Sequence, residues 1–459
     1  MVHNRSMAKS KLLFSSLNIL IVCSILEAWQ IAIGIRLGVY MLFGLLFLSI
    51  FFAYVIHNKH FEFAIDRAVI DLIYLYLGIY LISVITFVGI IIYSSNHPVF
   101  FTDALDQFSK FIINDTFQLI LFFSVAIFFS LLSSEKRIQV FKVFIFSIFA
   151  SCVYQYISIF SLMFLDTDLD KLIWSNISYG ASEGDIVSTI EGQGLGQNQF
   201  TFYRGGGFAI NPNVLASQIV LILPFLLVYA GEKQREYILF FMIACGSLFL
   251  TLSRSGMLAF LFCFLTFFLL YRKNIFKKFK GLIFFFFSFL FVLIFNFFDD
   301  IYMLLSYRFN LEGNFIGNII SNLSTRSALN DAAGEMVAQS PILGLGSNTS
   351  SSALLGYPKI LMMTGNNLHN FWSVLLVEEG ILGLATNLLF YIYIIYVLIK
   401  RPNIFSVCLI SSIVGLMISG FFNSFLTNFS TQLFILIMFL TAVLHSTERN
   451  NIDMQIKNH

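Results

Sequence analysis

Charged residues are scarce in this chain of 459 residues. They make up 11% of the sequence, whereas hydrophobic residues make up 58% and the mean hydropathy is +0.84. A water-soluble globular domain carries about 25% charged residues. The composition therefore excludes a soluble fold of this length, and with a formal net charge of only +2 no nucleic-acid partner is expected.

Cysteine is also rare and has no pattern typical of a metal or disulfide site. The five cysteines all fall inside apolar stretches, and no two have CxxC spacing. This excludes both a disulfide framework and a zinc site of the usual kind. The cysteines are Cys23, Cys152, Cys245, Cys263 and Cys408.

Phenylalanine is abundant, with 57 residues, but it partitions into lipid and does not indicate an activity.

Apolar stretches long enough to cross a membrane recur along the whole chain. About 20 apolar residues in a helix span the roughly 30 Å of hydrocarbon, and these runs are continuous, which favours helices over a barrel of alternating strands. The predicted spans are 12–28, 37–56, 69–94, 114–134, 138–164, 213–230, 237–253, 256–271, 281–298, 370–398, 404–421 and 427–445. The predicted fold is all-α: a polytopic integral membrane protein of about 12 transmembrane helices.

The distribution of lysine and arginine predicts the orientation of these spans. The start, MVHNRSMAKSKLLF, resembles a signal peptide, but no small-residue cleavage site follows, so we interpret it as an uncleaved first helix. When the N-terminus is placed in the cytoplasm, most of the chain's 27 lysines and arginines fall on the inner side. The positive-inside rule thus favours a multi-pass protein with both termini in the cytoplasm.

Two segments on the predicted outer side are longer than simple connections. Residues 165–212 are acidic and become glycine-rich toward their end, EGQGLGQNQFTFYRGGGF. Residues 299–369 contain a stretch compatible with a helix, TRSALNDAAGEMVAQ, followed by the turn-rich SPILGLGSNTSSS. Loops of this length usually have a function. With no internal repeat, residues 1–459 are predicted to form a single membrane domain with two large extracytoplasmic loops.

Of the seven histidines, two fall on the predicted outer side, where proton transfer to an external substrate would occur. His97, in SSNHPVF, is best interpreted as a solvated turn residue. His369 and its neighbour Asn370 lie in the polar cluster NNLHN, at the start of a long apolar helix. His369 would either cap this helix at the membrane surface or accept a proton, and nearby external arginines favour the second interpretation.

Three arginines are candidate anion ligands on the outer side. Arg254 occupies a short polar break, LFLTLSRSGMLAF, and would either reach lipid phosphate or clamp a substrate anion. Arg326, in NLSTRSALNDAAG, and Arg204, beside the glycines of TFYRGGGF, would otherwise be solvated loop residues. Guanidinium groups bind diphosphate oxygens in a bidentate manner. Two or three of them would stabilise a leaving diphosphate without a metal, while a base accepts the proton of an attacking hydroxyl.

Two adjacent carboxylates, Glu378 and Glu379, lie in the apolar stretch that follows His369. At about 1.5 Å per residue they are expected roughly 14 Å deeper in the membrane than the histidine. Carboxylates in lipid are costly and are often functional. They would either orient functional partners, with Glu379 as a supporting site residue, or form a structural contact between helices.

Four short segments follow one another over about residues 204–384: GGFAINPNVLASQIVLILP, LTLSRSG, STRSALNDAAGEMVAQSPILGLGS and NNLHNFWSVLLVEEGILGL. In order and spacing they resemble the O-antigen polymerase and O-antigen ligase superfamily of bacterial surface-polysaccharide enzymes. The resemblance implies a protein of the bacterial cytoplasmic (inner) membrane that transfers a glycan from undecaprenyl diphosphate to an acceptor hydroxyl at the periplasmic face. It also implies that Arg254 and Arg326 bind the diphosphate, that His369 acts as or positions the base, and that no metal or cofactor is needed.

The predicted function is a membrane glycosyltransferase that polymerises lipid-linked repeat units of O-antigen or capsule. The first alternative is a ligase that transfers the glycan to lipid A core, and a less favoured one is a polysaccharide flippase or transporter. The expected partners are the undecaprenyl-diphosphate-linked donor, a glycan or lipid A core acceptor, membrane lipid and a chain-length regulator. The sugar, the linkage and the oligomeric state are not encoded in any recognisable pattern.

Overall fold

The computed structural model describes most of the chain. The described residues are 2–25, 30–32, 36–57, 65–94, 98–165, 167, 169, 206–209, 211–231, 235–251, 253–278, 329, 331–354, 368, 370–421 and 429–457.

Helices account for nearly all of the regular structure in these ranges, which confirms the predicted helical fold class. In chain order they are α1 (Val2–Ile25), α2 (Val39–His57), α3 (Arg67–Ile85), α4 (Phe87–Ser94), α5 (Pro98–Ser130), α6 (Ser134–Leu165), α7 (Pro212–Gly231), α8 (Arg235–Leu250), α9 (Arg254–Lys278), α10 (331–339), α11 (Ser350–Leu354), α12 (Phe371–Lys400), α13 (Ile404–Ser419) and α14 (Phe429–Lys457). A single 3₁₀ turn, Gly207–Ala209, precedes α7.

A short β-hairpin is the exception to the all-α prediction. Strands β1 (Gln30–Ala32) and β2 (Arg36–Gly38) pair antiparallel, with Ile31 opposite Leu37. The hairpin begins in the predicted connection between the first two spans and ends at Gly38, just inside the second predicted span. Pairing the strands satisfies backbone N–H and C=O groups that would otherwise need water or side-chain partners.

Among the described helices, six are long and apolar enough to cross a membrane, judged by length and composition: Val39–His57, Arg67–Tyr93, Phe100–Ser130, Ser134–Leu162, Pro212–Tyr229 and Phe371–Lys400. Five further apolar helices are shorter: Lys11–Ile25, Glu236–Leu250, Ser255–Tyr271, Ile404–Ser419 and Ser430–Ser446. The remaining predicted span, 281–298, lies outside the described residues. A multi-pass membrane protein is thus supported, whereas the count of twelve and the loop layout stay predictions.

Helix α5 begins well before the predicted start of its span at residue 114. It has 33 residues and starts at Pro98, a residue that is favourable in the first turn because it has no N–H to leave unpaired. Hydropathy missed this portion because polar residues interrupt it, among them Asp103 and Asp106. The spacing of its buried residues Phe100, Ala104 and Phe108 is nonetheless helical.

Backbone proximity divides the chain into two compact units. Unit 1 comprises residues 1–77, 115–267 and 389–459, and unit 2 comprises residues 78–114 and 268–388. Each is described separately below.

Unit 1 is organised around α7, whose apolar stretch is 78% buried. Helices α8 and α13 pack against it, and the Ser412 hydroxyl on α13 donates to the Leu221 carbonyl at 3.0 Å. An ion pair joins the start of α3 to the end of α12, both predicted to lie at the cytoplasmic side. Arg401 donates to both oxygens of Asp66 at 2.6 and 3.0 Å. Bidentate geometry makes this a strong charge-assisted contact.

Unit 2 has its own apolar core. Buried side chains of α4, α5, α10 and α11 meet there with Leu345, Leu368 and Val377. Phe87 on α4 packs against Phe108 on α5 with ring centroids 5.3 Å apart. The core therefore joins the early helices of this unit to residues more than two hundred positions later in the sequence.

The predicted orientation can be tested with introduced cysteines, because the five native cysteines are buried and should not react. Ser109 and Ser133 are both exposed, and they are predicted outside and inside respectively. A membrane-impermeant maleimide should label Ser109→Cys in intact spheroplasts and Ser133→Cys only after permeabilisation. The reverse pattern would invert the topology and move the external candidates to the cytoplasm.

Candidate functional site

Helix α12 is broken at Gly380, in the middle of its apolar stretch. The glycine has φ 65° and ψ −162°, a region of backbone conformation that is essentially restricted to glycine. A β-carbon added there would overlap with the carbonyl oxygen of Ile342. The sequence VEEG therefore encodes an interruption of the helix, directly after the two glutamates.

Residues 341–346, which we call the crosspiece, fill this break. The N–H of Ile381 donates to the Pro341 carbonyl at 2.9 Å, and that of Leu382 donates to the Ile342 carbonyl at 3.3 Å. In the other direction, Leu345 and Gly346 donate their N–H groups to the carbonyls of residues 377 and 378, at 2.8 and 2.9 Å. The crosspiece thus replaces helical hydrogen bonds that the break removes, so these buried backbone groups keep partners.

The close approach of three backbones explains the glycine in the middle of the crosspiece. Gly344 has φ 70°, and a β-carbon on it would overlap with the backbone of Glu378. On its other side, the carbonyl of Gly344 lies so close to Gly89 of α4 that a β-carbon on Gly89 would overlap with it. The crosspiece is therefore packed between α12 and α4 at backbone distance.

Glu379 lies beside the break in a cluster of hydroxyl groups. It is 7% exposed, and its Oε1 accepts hydrogen bonds from Ser83 at 2.6 Å and from Ser347 at 3.2 Å. The backbone N–H of Ser347 donates to the Thr86 hydroxyl at 3.0 Å. This cluster ties the junction of α3 and α4 to α12 through the residue that follows the crosspiece.

Glu378 accepts hydrogen bonds from backbone N–H groups of the turn that follows the crosspiece. Its Oε2 accepts from the N–H of Asn348 at 2.8 Å, and its Oε1 accepts from the N–H of Ser350 at 3.1 Å. Ser350 is the first residue of α11, so the carboxylate satisfies a donor that a helix terminus leaves without an intrahelical partner. Asn348 has the positive φ of 61°, a conformation that asparagine tolerates.

These contacts fit both interpretations of the two carboxylates, which either orient functional partners or join helices. Their described partners are hydroxyl and backbone N–H groups of unit 2, and the contacts join α12 to other elements of that unit. Sequence reasoning missed the partners Ser83, Thr86 and Ser347. The sequence signal that could have indicated this contact was local. The segments PILGLG and VEEG each contain glycines, which are unusual inside apolar segments.

Asn370 caps the N-terminal end of α12. Its Oδ1 accepts from the N–H groups of Trp372 at 3.0 Å and Ser373 at 3.3 Å, the usual geometry of an N-cap. Leu368 is buried in the core of unit 2. The capping role considered for His369 thus belongs to Asn370. His369 itself lies outside the described residues.

Arg254 is the first residue of α9, as the predicted outward turn requires. Ser253 caps that helix, because its hydroxyl accepts from the N–H of Gly256 at 3.1 Å. Gly256 lies against Ala216 of α7, which places the first turns of the two helices side by side. The described part of Arg254 is its backbone, so its proposed anion contact stays a prediction.

Arg204 and Arg326 lie outside the described residues, although nearby residues are described. Gly207 has φ 56° and packs against Ser151 of α6, whose hydroxyl accepts from the N–H of Phe208 at 2.9 Å. This glycine therefore allows close approach to a helix. In the second loop, the predicted helical stretch is confirmed over 331–339, and the turn-rich stretch forms the crosspiece and α11.

Comparison with known proteins supports the resemblance found in the sequence. Residues 238–388 match the family model described as O-antigen ligase. This segment includes α9, the crosspiece, both glutamates and the break at Gly380. No functionally curated protein matches the chain. The match supports the O-antigen ligase and polymerase superfamily and a membrane enzyme of ligase or polymerase type.

Replacing Gly380 with alanine should destabilise the protein, whereas the same change at Gly334 should not. Alanine at Gly380 would adopt a strained conformation costing about 1–3 kcal/mol, in addition to the overlap with Ile342. Gly334 lies in α10 with no atom within 4 Å of an added β-carbon, so alanine should stabilise that helix by about 0.5–1 kcal/mol. Apparent unfolding temperatures in detergent measure the difference. Equal temperatures for the two variants would contradict the assigned backbone conformation.

Proposed function

Because residues 238–388 match the O-antigen ligase family model, we propose that the chain is a membrane glycosyltransferase that uses a lipid-diphosphate-linked glycan as its donor. The more specific proposal is a polymerase of undecaprenyl-diphosphate-linked repeat units, acting at the periplasmic face of the inner membrane. The family match is the observation that carries the glycosyltransferase assignment, which the polymerase and the ligase share. The match also favours an enzyme over the transporter considered from the number of spans.

The proposed reaction is the displacement of a diphosphate by a sugar hydroxyl. His369 accepts the proton of the acceptor hydroxyl, whose oxygen forms a bond to the anomeric carbon of the donor. The bond between that carbon and the diphosphate oxygen breaks, and undecaprenyl diphosphate leaves. Arg254 and Arg326, with Arg204 as a third candidate, stabilise the charge on the leaving group without a metal ion.

The described residues support this assignment in two ways. Asn370 takes the capping position at the start of α12, so the helix does not need the adjacent histidine as its cap. Arg254 occupies the first turn of α9, where the helix terminus adds partial positive charge that also favours an anion. Both features lie within the residues matched by the family model.

A ligase that transfers the glycan to lipid A core is the second candidate, because the matching family model is described as O-antigen ligase. Both reactions require a lipid diphosphate donor and a base, and they differ in the acceptor. The polymerase would take a second lipid-linked glycan. A chain-length regulator is a further proposed partner of the polymerase.

Replacing His369 with alanine should abolish long surface polysaccharide chains, because the acceptor hydroxyl would lose its base. Electrophoresis of polysaccharide from cells with confirmed expression of the variant measures this. His97→Ala is the matched control, since His97 is the other histidine predicted outside and has no proposed role. Unchanged long chains in the His369 variant would exclude its catalytic role.

The lipid A core of cells lacking the protein should distinguish the two acceptors. Loss of a polymerase leaves single repeat units attached to the core, because ligation by another enzyme continues. Loss of a ligase leaves the core bare and causes lipid-linked polymer to accumulate. Mass spectrometry of the core oligosaccharide gives the outcome, and a bare core would contradict the polymerase assignment.

A further inference from the structure

The outer part of α12, residues 371–379, is a helical segment that is held at both ends. Asn370 caps its outer end, and Leu368, two residues earlier, is 3% exposed in the core of unit 2. The crosspiece holds its inner end at the Gly380 break. His369 is joined to Asn370 by one peptide bond. Whatever fixes this segment therefore limits where the histidine can lie.

Glu378 supplies a side-chain link near the inner end of that segment. Eight residues separate it from Asn370, a rise of about 12 Å along the helix. Each carboxylate oxygen has its own backbone donor, Asn348 at 2.8 Å and Ser350 at 3.1 Å. Two separate acceptors are needed for this arrangement. A carboxylate provides them, whereas an amide provides one acceptor and one NH₂ group.

The turn that Glu378 holds is itself fixed to α5. The Asn348 side-chain amide donates to the Gln107 carbonyl at 3.3 Å, and the Ser352 hydroxyl donates to Asp103. At the end of the turn, Leu354 is fully buried in the core of unit 2. Glu378 therefore connects the outer part of α12 to a turn that is fixed on another helix.

We propose that Glu378 is a positioning residue for His369, an inference that rests on the proposed function of that histidine. Through its two hydrogen bonds, the carboxylate sets the placement of residues 371–379 relative to the turn at 348–350. A base that is displaced by about 1 Å costs roughly a hundredfold in rate. The effect of losing the carboxylate should therefore fall on the chemical step, with little effect on donor binding.

The test is Glu378→Gln in the full-length protein, purified in lipid nanodiscs. A binding titration with undecaprenyl diphosphate measures the number of competent sites and their affinity. Turnover is measured with lipid-linked glycan extracted from cells that lack the protein. We expect the number of sites and the affinity to stay near wild type, while kcat per competent site falls about ten- to a hundredfold. The control is Glu335→Gln, an exposed glutamate of α10 in the same unit, which should change neither quantity.

A purely structural role for Glu378 would give a different result. It would lower the number of competent sites and leave kcat per site unchanged, and this outcome would overturn the inference. Ser350→Pro serves as a second variant should Glu378→Gln yield no folded protein. It removes the N–H and the hydroxyl of Ser350 and leaves the Asn348 donor in place. Proline is tolerated at the first position of α11, so this variant should show the same pattern with a smaller fall in kcat.

His369→Ala, measured in parallel, separates this inference from the proposed function. If His369→Ala retains wild-type kcat per site, the base assignment fails and the inference about Glu378 fails with it. If His369→Ala is inactive while Glu378→Gln retains full kcat per site, the positioning role alone is wrong.

Discussion

Backbone N–H and C=O groups that lose their helical partners within a membrane must be satisfied by another segment of protein. At Gly380 this requirement is met by residues 341–346, which donate to carbonyls before the break in α12 and accept from N–H groups after it. Because the replacement is backbone to backbone, the segments must approach closely, and Gly344 and Gly89 make that possible. The packing of unit 2 around α12 depends on this one exchange of hydrogen bonds.

The same exchange explains how two carboxylates are accommodated in an apolar stretch. An unpaired charge there would be costly, but the crosspiece is followed immediately by Ser347, Asn348 and Ser350, which bring hydroxyl and N–H donors to Glu378 and Glu379. The break, the crosspiece and both glutamates lie within the residues that match the O-antigen ligase family model. The region that carries the resemblance therefore includes the supporting structure around the proposed site.

Two local departures from the sequence predictions have identifiable causes. Helix α5 starts at Pro98 because a buried apolar stripe with helical spacing continues through its polar residues, and a search for uninterrupted hydropathy does not detect such a stripe. The hairpin Gln30–Gly38 is too short to give a recognisable strand pattern. In both cases the deciding factor was pairing or packing with another segment, which average hydropathy does not measure.

The sequence by itself determined the properties that depend on local composition. Continuous apolar runs fixed the helical, membrane-spanning class, and the polar break at Arg254 and the turn-rich stretch after α10 were predicted in the right places. Tertiary structure alone decided what the glutamates contact. Ser83 and Glu379 are 296 positions apart, and Asn348 and Glu378 are 30 apart. Neither pair follows from helical or strand periodicity, because each forms only once the crosspiece has folded against the break in α12.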